Sequence, residues 1–193
     1  MHAIIVLGGE RMTSLCAPLP EKALVIAADR GWDNALALGL SPAVPDGVEL
    51  HRSPAVKDET DAQLAIRCAV SRGADSLTLV GRIAGRADHT LSLIFLLESL
   101  KKHGIAAEIV DDINRIRLFS NEAFALRRAG FKYFGLLSLG RSTVSASSCK
   151  YPLGRPELVR DNPYATSNEI TGDAAYIEVS GDGVLLIESD RLA

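Results

Sequence analysis

Four short β-branched runs, each followed by glycine or charged residues, constrain the fold of this chain more than any other feature. The runs cover residues 3–7, 23–27, 76–80 and 107–110, and helical patterns cover residues 32–38, 61–72 and 88–103. Each run is continuously apolar rather than alternating, which is typical of strands that helices cover on both faces. Strands alternating with helices in this way predict a parallel α/β sheet.

The predicted helices have recognisable ends. Thr60-Asp61-Ala62-Gln63 fits a capping box at the start of the second helix, and Gly73 follows its last turn. The third helix closes with Lys101-Lys102-His103-Gly104, which suits a helix C-terminus. Its apolar stripe is predicted to contain Leu91, Ile94, Phe95 and Leu97.

The pattern changes after about residue 112. Residues 115–120 alternate polar and apolar side chains, and further strand-like runs cover 133–139, 143–146, 174–179 and 184–188. Ser180-Gly181-Asp182-Gly183 predicts a hairpin turn between the last two runs, and residues 152–168 are predicted to form a long irregular loop. We therefore predict an α/β domain over 1–112 and a smaller antiparallel β domain over 113–193.

Composition excludes several classes of protein. A net charge of −3 over 193 residues argues against a nucleic-acid partner. Three widely spaced cysteines argue against a disulfide scaffold or a zinc site. The longest uncharged apolar stretch, residues 91–97, is far shorter than the ~18 residues of a membrane span. With no secretion signal at the start, we expect a cytoplasmic protein without a membrane partner.

The common nucleotide and hydrolase motifs are absent. The chain has no GxxxxGK[ST] loop, no GxGxxG after the first strand and no GxSxG elbow. Without the glycine fingerprint, a nicotinamide-dependent oxidoreductase is a weak alternative. Gly8-Gly9 could admit a phosphate to backbone N–H groups, although a simple turn is the commoner explanation.

Charged clusters follow three of the predicted elements. They are Asp29-Arg30-Gly31, Lys57-Asp58-Glu59-Thr60-Asp61, and Arg82 with Gly85-Arg86-Ala87-Asp88-His89. Ligands of open α/β sheets bind beyond the carboxyl ends of the strands. Carboxylates can hold magnesium there, and arginine can neutralise phosphate oxygens. Taken singly, each cluster is better explained by a helix start or a turn. Because all three are expected at the same edge of the sheet, together they favour a functional site.

Five segments in order resemble the thiamine pyrophosphokinase family. They are Ala28-Asp29-Arg30-Gly31, Lys57-Asp58-Glu59-Thr60-Asp61, Gly85-Arg86-Ala87-Asp88-His89, Lys150-Tyr151-Pro152-Leu153 and Ser167-Asn168-Glu169. The resemblance implies a Rossmann-like nucleotide-binding α/β domain followed by a thiamine-binding β-sandwich. It implies transfer of pyrophosphate from ATP to thiamine, with Mg²⁺ as cofactor, in a homodimer whose active sites lie at the subunit interface.

The resemblance also implies roles for individual residues. Asp61, Asp58, Arg86 and Asp88 would be catalytic, and Asp61 and Asp58 would be metal ligands. Asp46 is a third candidate metal ligand, although it matches no residue of the family pattern. Nucleotide contacts would come from Asp29, Arg30, Gly31, Lys57, Arg86 and His89, and thiamine contacts from Ser167 and Asn168.

The most consequential departure from the family pattern is one segment; Leu93 and Ala84 are two smaller departures. The family carries a Gly-Asp-Phe-Asp-Ser motif between its first two matching segments, whereas residues 39–50 here contain only Asp46 and Glu49 as carboxylates. Three interpretations remain open. Asp46 could replace the missing ligands in an active kinase, the chain could bind thiamine or nucleotide without catalysis, or this sequence could lack a segment of the natural protein.

Overall fold

The computed structural model describes residues 1–40 and 58–191, which belong to two compact units, Met1–Asp112 and Ile113–Ala193. The first unit contains a parallel sheet and the second contains antiparallel strands, so the fold is mixed α/β. No helix in the described ranges is both long enough and apolar enough to span a membrane.

The parallel sheet of the first unit has the strand order β2-β1-β3-β4. Its strands are β1 (His2–Val6), β2 (Leu24–Ala27), β3 (Ser76–Val80) and β4 (Ala106–Val110). β1 pairs in parallel with β2 and β3, and β3 pairs in parallel with β4, as the continuous apolar runs predicted. Ile5, Leu79 and Ile109 are fully buried in these strands.

Three helices accompany this sheet among the described residues: α1 (Gly31–Ala37), α2 (Asp61–Ser71) and α3 (Ala87–Lys102). The predicted capping box of α2 is confirmed. Thr60 Oγ1 accepts from the Gln63 N–H at 3.2 Å, and Gln63 Oε1 accepts from the Thr60 N–H at 2.9 Å. Gly73, with φ of 88°, follows the end of the helix.

The buried stripe of α3 differs from the sequence prediction. Leu93, Leu97 and Leu100 are buried, whereas Leu91 and Phe95 are 50% and 53% exposed. The helix is apolar around much of its circumference, so its sequence did not determine which side packs inward. The orientation came from the residues that α3 packs against.

The second unit contains two sets of antiparallel strands. In one set β11 (Val184–Arg191) pairs with β5 (Arg115–Phe119) and β7 (Phe131–Ser138). The other set has the order β6-β10-β8-β9. Its strands are β6 (Glu122–Arg127), β8 (Arg141–Ser147), β9 (Leu153–Val159) and β10 (Ala174–Gly181). Buried side chains from both sets form one hydrophobic core, which includes Leu136, Val144, Ile177 and Leu186.

The prediction of a hairpin at residues 180–183 is wrong. The chain bends at Asp182, but β10 pairs with β6 and β8, whereas β11 pairs with β5 and β7. The chain therefore passes from one set of strands to the other. A Cβ on Gly181 would lie 2.5 Å from the Arg141 carbonyl oxygen, so this crossing requires glycine.

The predicted loop over 152–168 is also wrong in its first half, because Leu153–Val159 forms β9. Gly154 and Pro156 obscured this strand in the sequence. β9 lies at the edge of its sheet, and its pairing with β8 shifts register between Thr143 and Ser145. Proline is tolerated at such positions, so the missing N–H of Pro156 does not prevent the strand. Strand β6 was not predicted at all.

Candidate functional site

Glycine and charged residues line the carboxyl edge of the parallel sheet. The segments that follow the strands are Gly8-Gly9-Glu10 after β1, Asp29-Arg30-Gly31 after β2, Gly81-Arg82 after β3 and Asp111-Asp112 after β4. Because these strands are parallel, all four segments lie at one edge of the sheet. This edge is where open α/β sheets bind their ligands.

The segment after β2 turns tightly against the end of β1. A Cβ on Gly31 would lie only 2.0 Å from the Val6 carbonyl oxygen, so no other residue fits there without a shift of the backbone. Asp29 adopts a φ of 51°, in the left-handed region. Both Asp29 and Arg30 are exposed. The turn thus presents an exposed carboxylate and an exposed guanidinium at the carboxyl edge.

Asn34 organises the segment that follows β1. Its side chain is buried, and its Nδ2 donates to the carbonyl oxygens of Leu7 at 3.1 Å and Glu10 at 3.3 Å. Its Oδ1 accepts from the Met12 N–H at 3.1 Å. One side chain on α1 therefore satisfies three backbone groups of the segment that contains Gly8-Gly9. Gly9 itself has a φ of 119°, which favours the interpretation of this pair as a turn.

Arg82 links the segments that follow β1, β3 and β4. Its Nε and Nη2 donate to the two carboxylate oxygens of Asp112 at 3.3 and 2.5 Å. Its Nη1 donates to Glu10 Oε2 at 2.8 Å. Hydrogen bonding to Arg82 lowers the pKa of Asp112, and the two carboxylates raise the pKa of Arg82. Asp112 and Arg82 are therefore both charged at neutral pH.

Arg86, Asp88 and His89 lie at the start of α3. Arg86 precedes the helix, and its Nη2 and Nε donate to the carboxylate oxygens of Asp88 at 2.6 and 3.2 Å. This hydrogen bonding lowers the pKa of Asp88. All three side chains are exposed, and Asp88 also accepts from the His89 backbone N–H at 3.0 Å. The α3 N-terminus thus offers a guanidinium and a carboxylate to solvent at the carboxyl edge.

Asp58 and Asp61 lie at the start of α2. After the end of α2, the Asp75 N–H donates to the Met1 carbonyl oxygen at 3.1 Å, next to the beginning of β1. Since α2 ends at the amino edge of the sheet and is about 16 Å long, its first turn lies toward the carboxyl edge. Both side chains are exposed. Thr60, not Asp61, provides the side-chain cap of the helix.

The described residues provide part of a metal site at most. Within residues 1–40 and 58–191, no group of three His, Cys, Asp or Glu side chains is arranged to hold a metal ion. Asp46 and Lys57 lie outside the described residues. Asp58 and Asp61 nevertheless fit Mg²⁺ chemically, because this ion commonly takes one or two carboxylates and completes its shell with water and phosphate oxygens.

Asn168 is buried and joins two segments of the second unit. Its Oδ1 accepts from the N–H groups of Tyr151 at 3.0 Å and Glu169 at 2.9 Å, and its Nδ2 donates to the Tyr151 carbonyl oxygen at 2.8 Å. The Asn168 side chain therefore positions Tyr151. Ser167, by contrast, is exposed, with a φ of 54°.

An aromatic and charged surface surrounds Asn168. Tyr151 is 57% exposed, and Lys150 Nζ lies 5.6 Å from the centroid of its ring. Lys150 Nζ also contacts Glu169 Oε1 at 2.6 Å, and this contact lowers the pKa of Glu169 and raises that of Lys150. We call Lys150, Tyr151, Ser167, Asn168 and Glu169 the Tyr151 surface. It combines an accessible aromatic ring with a carboxylate.

Sequence reasoning missed Asn34, Glu10 and the positioning action of Asn168. Asn34 lies within a predicted helix, where its sequence carries no sign of a buried partner. Glu10 is separated from Arg82 by more than seventy positions, so only the parallel sheet brings them together. The adjacency of Asn168 to the Lys150-Tyr151-Pro152-Leu153 segment likewise depends on the fold.

Comparison with known proteins identifies relatives of the whole chain. Residues 42–109 match the family model described as the catalytic domain of thiamin pyrophosphokinase. A thiamine pyrophosphokinase from Bacillus subtilis is 27% identical over 96% of this chain and 97% of the relative. The matched range contains Asp58, Asp61, Arg86 and Asp88, and it also contains residues 42–50 of the segment in which the Gly-Asp-Phe-Asp-Ser motif is missing.

Solved structures share the fold over their full length. The crystal structure of the Bacillus subtilis thiamine pyrophosphokinase has a TM-score of 0.83 at 23% identity, covering 100% of both chains. A thiamin pyrophosphokinase family protein from Enterococcus faecalis has a TM-score of 0.82 at 22% identity with the same coverage. The thiamin pyrophosphokinase of Candida albicans has a TM-score of 0.79 at 16% identity, covering 98% of this chain and 90% of its own.

Proposed function

We propose that this chain, a relative of the thiamine pyrophosphokinases, transfers the pyrophosphoryl group of ATP to thiamine. The observation that carries the proposal is the position of Arg86 and Asp88 at the carboxyl edge of the parallel sheet, in the segment that matches the catalytic-domain family model. The thiamine hydroxyl oxygen forms a bond to the β-phosphorus of ATP. The bond from that phosphorus to the α,β-bridging oxygen breaks, the hydroxyl proton passes to water, and AMP leaves.

The first unit supplies the nucleotide contacts in this proposal. Arg86 binds phosphate oxygens with its planar guanidinium, and the Asp88 carboxylate keeps that guanidinium oriented through two hydrogen bonds. His89 and the Asp29-Arg30-Gly31 turn contact other parts of the nucleotide, and Lys57 contributes a further positive charge. Phosphoryl transfer depends chiefly on positioning and on neutralising charge, which these groups can provide.

Magnesium fits this proposal through Asp58 and Asp61. These two exposed carboxylates at the start of α2 would hold the ion, and Asp46 is the third candidate ligand. When bound, Mg²⁺ neutralises the charge that develops on the phosphate oxygens. Asp58 and Asp61 would then bind the metal, and the Arg86–Asp88 pair would orient the phosphates.

The Tyr151 surface of the second unit is the proposed thiamine site. Thiamine carries a cationic thiazolium ring, and such rings bind favourably to the faces of exposed aromatic side chains and near carboxylates. Tyr151 offers an exposed ring, and Ser167 can hydrogen-bond the ligand from the same surface, while Glu169 offsets the charge of the neighbouring Lys150. Asn168 contributes by holding the Tyr151 backbone in place. In this assignment 1–112 is the nucleotide-binding domain and 113–193 is a thiamine-binding β-sandwich.

The chain is also proposed to act as a cytoplasmic homodimer. Leu91 and Phe95 support self-association, because they lie one turn apart on α3 and are each half exposed. We expect light scattering to give twice the monomer mass of 20.6 kDa. A monomeric mass at assay concentrations would contradict the dimer.

Incubation of the purified chain with thiamine, ATP and Mg²⁺ tests the reaction. We expect thiamine diphosphate and AMP in equal amounts, with neither product after chelation of the metal. A folded chain that yields neither product overturns the proposed transfer. Calorimetric binding of thiamine or ATP by such an inactive chain would instead favour the catalytically impaired homologue.

A further inference from the structure

We propose that Arg82 is a positioning residue for the nucleotide, because it fixes the loop that carries Arg86 and Asp88. This inference rests on the proposed function. Arg82 follows β3, four positions before Arg86, and its guanidinium joins the segments after β1 and β4. The inference concerns a residue that acts through its neighbours rather than by touching the substrate.

The loop after β3 is anchored first at the end of β4. Gly81 N–H donates to the Val110 carbonyl oxygen at 3.3 Å, and Ile83 N–H donates to Asp111 Oδ2 at 2.9 Å. Asp111 is 1% exposed, so this second bond is shielded from water. Between these two backbone bonds, Arg82 makes its paired contact with Asp112. Residues 81–83 are therefore tied to β4 by consecutive contacts.

Glu10 connects the same loop to the segment after β1. Its carboxylate accepts from Arg82 Nη1 at 2.8 Å, and its backbone carbonyl accepts from buried Asn34. A Cβ on Gly85 would lie 3.8 Å from Glu10 Oε1, so Glu10 passes alongside the residue that precedes Arg86. Arg82 thus supports the loop from both neighbouring strand ends.

Arg86 depends on this support. Its side chain is 70% exposed and pairs with Asp88, which belongs to the same loop-to-helix segment. That pair orients the two groups relative to each other, but it does not locate them relative to the sheet. Their location relative to the sheet comes from the packing of α3 and from residues 81–85, whose position the Arg82 contacts fix together with the Gly81 and Ile83 backbone hydrogen bonds. A displacement of ~1 Å at a reacting group can reduce the rate ~100-fold.

Lysine cannot replace the geometry of Arg82. The guanidinium offers a rigid fork of donors, which here reaches both oxygens of Asp112 and one oxygen of Glu10. An ammonium group preserves the positive charge but has no fixed fork. Comparison of Arg82→Lys with Arg82→Ala therefore separates an effect of loop position from an effect of charge balance.

The test measures kcat and KM for each substrate, together with ATP binding by calorimetry, in Arg82→Lys, Arg82→Ala and Glu10→Gln. We expect kcat/KM for ATP to fall about tenfold or more in both Arg82 variants, while KM for thiamine changes less than about twofold. Glu10→Gln should have a smaller effect of the same kind. Arg141→Ala is the matched control, because Arg141 forms an exposed ion pair with Glu157 in the second unit.

Each outcome separates the inference from the proposed function. If the wild type is active and both Arg82 variants match it, or if Arg82→Lys alone restores full activity, the positioning action is overturned and the proposed function stands. If KM rises equally for both substrates, the change is a general structural one and also contradicts the inference. A folded wild type that neither turns over nor binds ATP overturns both.

Discussion

Substitution of Asp61 tests whether this residue binds metal or only stabilises the start of α2. Thr60 supplies the helix cap, so Asp61→Asn should change the free energy of unfolding by less than ~1 kcal/mol. If Asp61 is the magnesium ligand proposed above, the same substitution should reduce product formation at least ~100-fold. Urea unfolding and the product assay measure the two effects, with exposed Asp161→Asn in the second unit as control. A large loss of stability with intact activity would reverse this assignment.

Ser167 and Asn168 should respond differently to truncation although they are adjacent. Asn168→Ala leaves the Tyr151 N–H and carbonyl without their side-chain partner and should cost about 1–3 kcal/mol of unfolding free energy. Ser167→Ala removes an exposed hydroxyl and should cost less than ~0.5 kcal/mol while weakening thiamine binding. Thermal denaturation and thiamine calorimetry distinguish these results. Equal stability losses in the two variants would be inconsistent with the observed hydrogen bonds.

The contact between the loop after β3 and the end of β4 should make stability depend on pH. Arg82 lowers the pKa of Asp112, so the folded state favours the carboxylate. This contribution is present above the ordinary aspartate pKa of about 3.9 and is lost as the pH falls through the lower folded value.

Comparison of wild type with Asp112→Asn between about pH 7 and pH 3 checks this dependence. The difference in unfolding free energy between the two proteins should shrink at the acid end, most clearly at low ionic strength. Glu157→Asn, which removes an exposed ion-pair partner in the second unit, serves as a control for general charge effects. A difference that stays constant across the range would contradict the coupling.

The two compact units should unfold with different transitions. Trp32, the single tryptophan, lies in the first unit, whereas far-UV circular dichroism also reports the strands of the second. Chains with two domains often depart from two-state behaviour. We expect denaturation curves from Trp32 fluorescence and circular dichroism to have different midpoints. Coincident curves at several protein concentrations would show that the units unfold together.

Local patterns predicted the parallel half of the molecule well. The runs at residues 3–7 and 76–80 became β1 and β3, and Thr60 with Gln63 formed the expected capping box. Prediction failed where packing decided the outcome. The edge strand that contains Pro156 was not predicted. In α3 the predicted stripe was right at Leu97, but Leu91 and Phe95 are exposed and Leu93 and Leu100 are buried instead.

The amino-acid sequence alone determined that this chain has parallel strands followed by charged residues, and its short segments indicated a thiamine pyrophosphokinase relative. Apolar runs and helix caps act between neighbours in the chain, so they are visible without a fold. Only the tertiary structure decided that Arg82 meets Glu10 and Asp112, and that Asn168 holds Tyr151. These contacts depend on strand order and on distances between residues far apart in the chain, which no local pattern encodes.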